Sequence, residues 1–307
     1  MADRLRSYAK RVVPSVLHRR FRWIDPAVHR LALEQKVWRD RLRPSRRRSH
    51  GLPGQLIVSL TSHPARFATL HRTLSALLRQ SVQPDRLILW IGEGTVAPLK
   101  VVRLVSRGLE IRPVRDQGSF TKLLPALAVF PQAFIVTADD DVYYPPDWLE
   151  GLIEDHDAKA PTILCRRTHR LGLGEDGALR PYAEWQKDVR DGPARAPSID
   201  LIPTGVGGVL YPPGLLDPRI LDEALFAGLC PHNDDFWFYW MARLAGSKHR
   251  QVGAGFAYRE WPGSQAVTLH SANLAGRYDK EIAALEQHFG LPGSTGGLTC
   301  QPHRAMA

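Results

Sequence analysis

The chain has 307 residues, 44% of them hydrophobic, with eight Trp, which is enough apolar material for a full core and excludes a disordered chain. No apolar run approaches the roughly 20 residues that span a bilayer, and no apolar segment of signal-peptide type opens the sequence. The formal charge of +10 is unevenly spread: residues 1–50 hold 15 Lys and Arg against 4 Asp and Glu, a net +11, and the remainder holds 26 against 27, a net −1.

Three sections follow from this: a basic arm and linker over 1–50, an α/β body over 51–292 and a flexible tail over 293–307. In the arm, Val13, Val16, Leu17 and Phe21, then Leu31, Leu33 and Val37, recur with helical spacing. Arg19, Arg20, Arg22, Arg30 and Arg39 lie between them. Such a helix suits an anionic membrane surface. Nucleic acid is a poorer match, since the chain has neither interleaved stacking aromatics nor a helix-turn-helix pattern. A solvated helix that docks on a partner is the third reading. Pro44, Gly51, Pro53 and Gly54 then break the chain. Three widely spaced cysteines, Cys165, Cys230 and Cys300, form no CxxC pair, which suits a reducing, cytoplasmic compartment and argues against a zinc ribbon.

From Leu56 the pattern changes to short apolar strands alternating with helices. "LIVSL", "DRLILWIG", "LEIRPV" and "AFIVT" read as strands; "RFATLHRTLSALLRQS", "LKVVRLVSRG" and "SFTKLLPALAVF" read as the helices between them. That alternation predicts βαβ units and a mostly parallel sheet covered by helices on both faces. "TILCRR" is a further strand, and residues 169–198 are a long Gly-, Pro- and charge-rich excursion. "DLIPTGVGGVLYPPGLL" suggests two strands paired around a glycine turn. "DDFWFYWMARLAG" and "NLAGRYDKEIAALEQHFG" predict two helices closed by Gly246 and Gly290.

Asp139, Asp140 and Asp141 follow the fourth strand, at the end where ligands bind in such sheets. Adjacent carboxylates raise one another's pKa, and a bound cation would relieve the repulsion. Side chains two apart in an extended chain point the same way, so Asp139 and Asp141 would face one Mg²⁺ or Mn²⁺ ion while Asp140 faces a ribose hydroxyl. An EF-hand is excluded because Tyr143 and Tyr144 occupy its fifth and sixth positions. An acidic turn favoured by the dipole of the following helix is the bland alternative.

Asp234 and Asp235 precede an aromatic-rich helix; one of them would be a general base, unless Asn233 or Asp234 merely caps that helix. Gly205, Gly207 and Gly208 either let backbone approach a ligand or make a tight turn. Lys122 would neutralise a diphosphate, and Asp116 would accept a hydrogen bond from a base or ribose. His270 is a candidate third metal ligand. Trp185, Trp237, Trp240 and Trp261 either stack on sugar rings or fill the core.

Taken together, "LIVSLTSHPARF" at the first strand, the Asp-x-Asp after an apolar strand and the later Asp-Asp at a helix start resemble GT-A (Rossmann-like) nucleotide-sugar glycosyltransferases of the bacterial family 2-like kind, over about residues 55–290. The resemblance implies a metal-dependent transfer of a sugar from a nucleotide-sugar donor to a saccharide or lipid-linked acceptor, in envelope polysaccharide or glycolipid synthesis. By it, Asp139 and Asp141 would be the metal–diphosphate motif, Thr61 and Ser62 would meet the nucleotide through backbone, and Asp235 or Asp234 would be the base. The chain departs from the pattern in reading Asn-Asp-Asp and in lacking Gln-x-x-Arg-Trp, which argues against processive cellulose- or hyaluronan-type synthesis. The basic arm would hold such an enzyme at the cytoplasmic face. A nucleotidyltransferase on the same sheet is the alternative, disfavoured because "TSHPARF" is not a Gly-rich basic loop; a non-catalytic adaptor is the other.

Overall fold

The computed structural model describes residues 24–42, 48–253, 255–264 and 276–291. His270 and the 293–307 tail lie outside these residues, as does the arm before Ile24. A seven-stranded sheet forms the centre, in the order β3-β2-β1-β4-β8-β5-β9. Its strands are β1 Leu56–Thr61, β2 Arg86–Gly92, β3 Leu109–Val114, β4 Phe134–Thr137, β5 Ile163–Cys165, β8 Val209–Tyr211 and β9 His249–Gln251. Parallel pairs join β1 to β2 and β4, β2 to β3, and β5 to β9; only β8 runs against its neighbours. A two-stranded sheet pairs β6 (Thr168–Arg170) with β7 (Leu201–Pro203). The helices are α1 Ile24–Leu42, α2 Phe67–Leu77, α3 Leu99–Val102, α4 Leu124–Val129, α5 Glu150–Ile153, α6 Glu223–Leu229, α7 Asp234–Leu244 and α8 Arg277–Phe289.

Alternation along each strand divides the core into two layers. Leu56, Val58 and Leu60 of β1 join Leu87, Leu89 and Val136 against Leu70, Leu74 and Leu77 of α2. Ile57 joins Ile88, Trp90 and Ile135 on the other face, with Phe236 to Ala242 of α7. Trp185, Trp237, Trp240 and Trp261 are all buried, so they belong to the core. Trp237 Nε1 donates to the Ile220 carbonyl (3.0 Å), which satisfies its one polar atom inside that layer.

The first four strands stand where the sequence predicts them. Two helices are shorter than predicted. The one from Leu99 gives way to a 3₁₀ turn over Val105–Arg107 that ends on Gly108 at φ 103°. The one from Ser119 is a 3₁₀ turn, Gly118–Lys122, followed by α4, whose second residue is Pro125. Proline lacks an N–H and suits a first turn, so it starts α4 there. The strands around the glycine turn do not pair with each other: β7 pairs with β6, and β8 joins the main sheet. The glycines carry the chain from one sheet to the other. Gly208 has φ +89°, and a Cβ there would lie 2.4 Å from the Trp148 ring.

Part of the basic arm is docked. Leu33 and Val37 of α1 are buried with Tyr143 and Trp261, and Asp40 accepts a hydrogen bond from Tyr143 Oη (2.6 Å). Among the described residues no helix is long and apolar enough to cross a membrane.

Candidate active site

The carboxyl ends of β1 and β4 lie side by side, because Ser59 registers with Thr137. β4 stops at Thr137, and residues 138–141 leave the strand and enter a turn. The two-residue alternation of an extended chain therefore ends before the three aspartates, and the expected division of labour is corrected. Asp139 turns to Lys122, whose Nζ is 2.8 Å away. Asp140 and Asp141 both turn to Arg66, with Asp140 Oδ1 at 3.5 Å and Asp141 in close contact. Asp140 also accepts from Ser62 Oγ and so faces protein in place of open space for a ribose. Burial pushes the Asp140 carboxyl up to about 6, and the Asp141 and Asp139 charges add to this against Ser62 and Arg66.

The loop that carries the triplet is pinned on all sides. Asp139 N–H donates to Tyr144 Oη (2.8 Å). The Thr73 hydroxyl lies 2.9 Å from the Asp140 carbonyl and 3.0 Å from that of Val142, and receives the Trp261 Nε1–H (2.8 Å). Gln80 bonds the Pro145 carbonyl (2.9 Å) and the Leu149 N–H (2.9 Å).

Lys122 is the hub. Phe120, two residues earlier, stacks on Phe226 at 4.5 Å, and the Lys122 carbonyl accepts from Ser59 Oγ (2.6 Å), which itself receives Trp90 Nε1–H (2.9 Å). The backbone is thus tied to β1, and the side chain runs under the acidic loop. Lys122 Nζ also lies 3.0 Å from Asp234 Oδ2. Burial alone would lower the ammonium's pKa, yet Asp139, Asp234 and Asp235 together hold it well above the ordinary lysine value.

At the start of α7 the cap is Asn233, whose side chain accepts from Phe236 N–H (3.0 Å). Neither aspartate is spent on capping. Asp234 is buried against Lys122. Asp235 Oδ1 accepts from Gly205 N–H (2.9 Å), and the residue keeps partial exposure. Burial pushes the Asp235 carboxyl up to about 8, the Asp234 and Asp139 charges add to it, and Lys122 and Gly205 N–H oppose it. Tyr182, from the long excursion, is pushed up to about 12 by burial and by the charge of Asp235.

The remaining predicted residues divide. Thr61 Oγ1 donates to the Trp90 carbonyl (3.1 Å) at the end of β1, so its hydroxyl is used within the sheet. Asp116 accepts from Gly118 N–H (2.9 Å) at the carboxyl end of β3, and its Cβ would lie 3.5 Å from a Cβ on Gly92, on the rim of the site. Gly207 and Gly208 stand against protein: a Cβ on Gly207 would lie 2.7 Å from Arg167, and one on Gly208 2.4 Å from the Trp148 ring. Gly205 is the glycine that borders the site, since a Cβ there would lie 2.9 Å from Lys122 Nζ, 3.1 Å from Asp235 Oδ1 and 3.6 Å from Asp139 Oδ1. Arg66, Ser59 and Tyr144 were not singled out by the sequence. Arg66 sits inside "TSHPARF", a segment without the Gly-rich pattern that marks a phosphate-binding loop.

Five carboxyl groups, Asp139, Asp140, Asp141, Asp234 and Asp235, thus meet two cations, Arg66 and Lys122. Burial raises two of the five, Asp140 to about 6 and Asp235 to about 8, so that of these only Asp235 keeps its proton at neutrality. Hard oxygen donors short of positive charge are the chemistry that suits Mg²⁺ or Mn²⁺. Among the described residues, however, no three His, Cys, Asp or Glu gather in an arrangement that could hold a metal ion, and Asp139 and Asp141 pair with different protein cations.

No family model and no curated protein matches the chain. Among solved structures, it is similar to a mannosyltransferase from Pyrobaculum calidifontis in complex with GDP-Man and Mn²⁺, at 14% identity and TM-score 0.46 over 84% of this chain and 73% of that one. It is similar to glucosyl-3-phosphoglycerate synthase from Mycobacterium tuberculosis, in complex with Mn²⁺, UDP and glucosyl-3-phosphoglycerate, at 15% identity and TM-score 0.39 over 79% of this chain and 82% of that one. It is also similar to the inositol-1-phosphate CTP transferase from T. maritima, at 9% and 0.40 over 76% and 96%. Likenesses of this size carry no argument about activity.

Proposed function

We propose that the protein is a glycosyltransferase that moves a sugar from a nucleotide-sugar donor to the hydroxyl of a saccharide or lipid-linked acceptor. The observation that carries this reading is the meeting of Asp139 with Asp234 and Asp235 around Lys122 at the carboxyl ends of the parallel strands. A donor's diphosphate would lie toward Lys122 and Arg66, which supply charge to the departing nucleoside diphosphate. Asp235 would take the proton of the acceptor hydroxyl as that oxygen bonds to the anomeric carbon and the sugar–phosphate bond breaks. Under retention of configuration the same carboxylate would face the developing oxocarbenium charge. Thr61 and Asp116 border the nucleotide's side, and Asp140 acts through Ser62 and Arg66.

Among the described residues a divalent ion would find at most two carboxylates here, so the donor's diphosphate oxygens would supply the rest of its ligands. Asp139 and Asp141 would hold it, competing with Lys122 and Arg66 for their oxygens, and when bound it would neutralise the diphosphate. His270 stays a candidate further ligand. Nucleotidyl transfer is the second reading. Against it stands Asp235, a raised carboxyl suited to deprotonating a sugar hydroxyl and superfluous when the nucleophile is already a phosphate.

Incubation with a panel of sugar nucleotides and Mn²⁺ should release nucleoside diphosphate from at least one. Release from none, with pyrophosphate formed from CTP and a sugar or polyol phosphate, would replace the glycosyl reading by the nucleotidyl one.

A further inference from the structure

The buried face of α1 closes a cavity of about 240 Å³ against the body. Val37 of that face lines it together with Tyr143, Tyr144 and Trp261, and the Tyr143 and Trp261 rings pack edge to face at 5.5 Å. Arginines from three separate elements line the same space: Arg41 of α1, Arg72 of α2 with Arg79 just beyond its end, and Arg107 of the 3₁₀ turn before β3. Asp40 is the one carboxylate in the lining, and Lys36 (3.0 Å) and Tyr143 (2.6 Å) engage it.

The charge left over is positive. Arg72 pairs with Glu34 at 2.8 Å and lies over the Trp261 ring at 5.5 Å. Arg79 donates to the Arg41 carbonyl at 2.9 Å, which uses one of its N–H groups. Among the described residues Arg41, Arg79 and Arg107 pair with no carboxylate. With the paired groups counted, five cations stand against two carboxylates. Arg41 and Arg107 are exposed while Arg72 and Arg79 are half-buried, so the cavity opens to solvent on its cationic side. Like charges gathered at one concave site repel, and an anion bonded to several of them removes the repulsion. The volume is below the roughly 300–1,000 Å³ of sites for drug-sized ligands. It suits a phosphate or pyrophosphate and is too small for a whole sugar nucleotide.

We propose that this cavity binds a free polyvalent oxyanion, phosphate or pyrophosphate, which bridges α1 and α2 to the wall behind the acidic loop. Guanidinium groups bind such oxygens through paired N–H donors. The wall matters because its residues hold the backbone of the three aspartates. Tyr144 Oη accepts from Asp139 N–H (2.8 Å), and Trp261 N–H donates to the Asp141 carbonyl (2.9 Å). Trp261 Nε1 donates to the Thr73 hydroxyl (2.8 Å), which bonds the Asp140 carbonyl (2.9 Å). An anion that draws α1 and α2 together over Tyr144 and Trp261 steadies all three carboxylates from behind. The cavity uses none of the five aspartates, nor Lys122 or Arg66, so its test stands apart from the glycosyl reading.

Isothermal titration of the full chain with phosphate and with pyrophosphate, at constant ionic strength in chloride and without divalent metal, reads the binding directly. One anion per chain is expected, pyrophosphate the tighter of the two. R79Q and R107Q should each weaken it about tenfold, the worth of one charge-assisted hydrogen bond. Unchanged melting temperatures in anion-free buffer check their folding. The control R180Q, which removes an exposed arginine of the excursion, should bind as the wild type does. Hydrogen exchange of amides 139–144 should slow when pyrophosphate is added to the wild type and stay unchanged in R79Q/R107Q. Absence of binding by both anions, or an equal loss in R180Q, would overturn the site. Binding that survives both R79Q and R107Q would assign the anion to Lys122 and Arg66 and overturn it too. An anion bound through Arg79 and Arg107 that leaves exchange at 139–144 unaltered would overturn the bridge to the acidic loop.

Discussion

At Asp235, burial and the Asp234 charge outweigh Lys122 and the Gly205 N–H, so the carboxyl keeps its proton until about pH 8. A base must be ionised to act, so kcat/KM of the free enzyme should rise with pH and level off above about 8. D235N should lower kcat by about 10²–10⁴-fold and remove that rise. A variant that keeps wild-type turnover would strip Asp235 of the role. Lys122 is the complementary case. It is the cation beside Asp139 and Asp234, and its removal leaves buried carboxylates unmatched. K122M should therefore cost about 3–5 kcal/mol in urea unfolding; a loss within the scatter of an ordinary surface substitution would show that the cluster does not depend on it. For the metal, added Mn²⁺ should raise the melting temperature of the wild type in proportion to the logarithm of its concentration. The shift should vanish in D139N and in D141N, and persistence in both would move the ion elsewhere.

At the scale of elements, the turn between β7 and β8 does two jobs with neighbouring glycines. Gly208 sits at φ +89° against Trp148, whose Nε1 donates to the Gly207 carbonyl (2.7 Å), so neither the backbone angle nor the space admits a side chain. Strain in the left-handed region and overpacking each cost about 1–3 kcal/mol, so G208A should destabilise by about 3 kcal/mol or more. Gly205 has no such angle, and a methyl there would press on the ends of Lys122 and Asp235. G205A should stay folded and lose activity. If instead G205A unfolds as readily as G208A, the difference drawn between a packing glycine and a site glycine is wrong. The same turn shows why the two strands around it looked like a hairpin: both are apolar and separated by glycines, and nothing local records that one belongs to the main sheet and the other to β6.

At the scale of the whole molecule, the raised carboxyls contribute one part of the pH dependence of stability. Above the ordinary value of 3.8 an unfolded chain has ionised Asp140 and Asp235, whereas the folded one still holds their protons up to about 6 and about 8. The contribution is complete below pH 3.8 and is lost as pH rises through those two values. Because the lowered histidines, His169 and His249 among them, pull the other way below about pH 6.5, the contribution is read as a difference: the melting temperature of the wild type relative to D235N should fall as pH rises from about 5 to 8. A difference that stays level or rises over this range would contradict the charge balance of the site. The docked part of α1 belongs to this scale too, since Leu33 and Val37 reach the Tyr143–Trp261 floor from a segment that composition alone assigns to a basic arm.

The sequence by itself determined the strands from Leu56 to Thr137, because the apolar runs of β1, β2 and β4 are buried on both faces and the edge strand β3, only partly buried, is still bounded by turn residues. It also determined that acidic groups stand at a carboxyl edge, because strand ends are legible from local pattern. Which cation each carboxylate meets was decided only by the tertiary structure. Arg66, Lys122 and Gly205 come from three separate turns, and their approach depends on sheet register, on the early end of β4 and on the packing of Phe120 and Trp148. Those are long-range contacts, and no spacing within the chain encodes them.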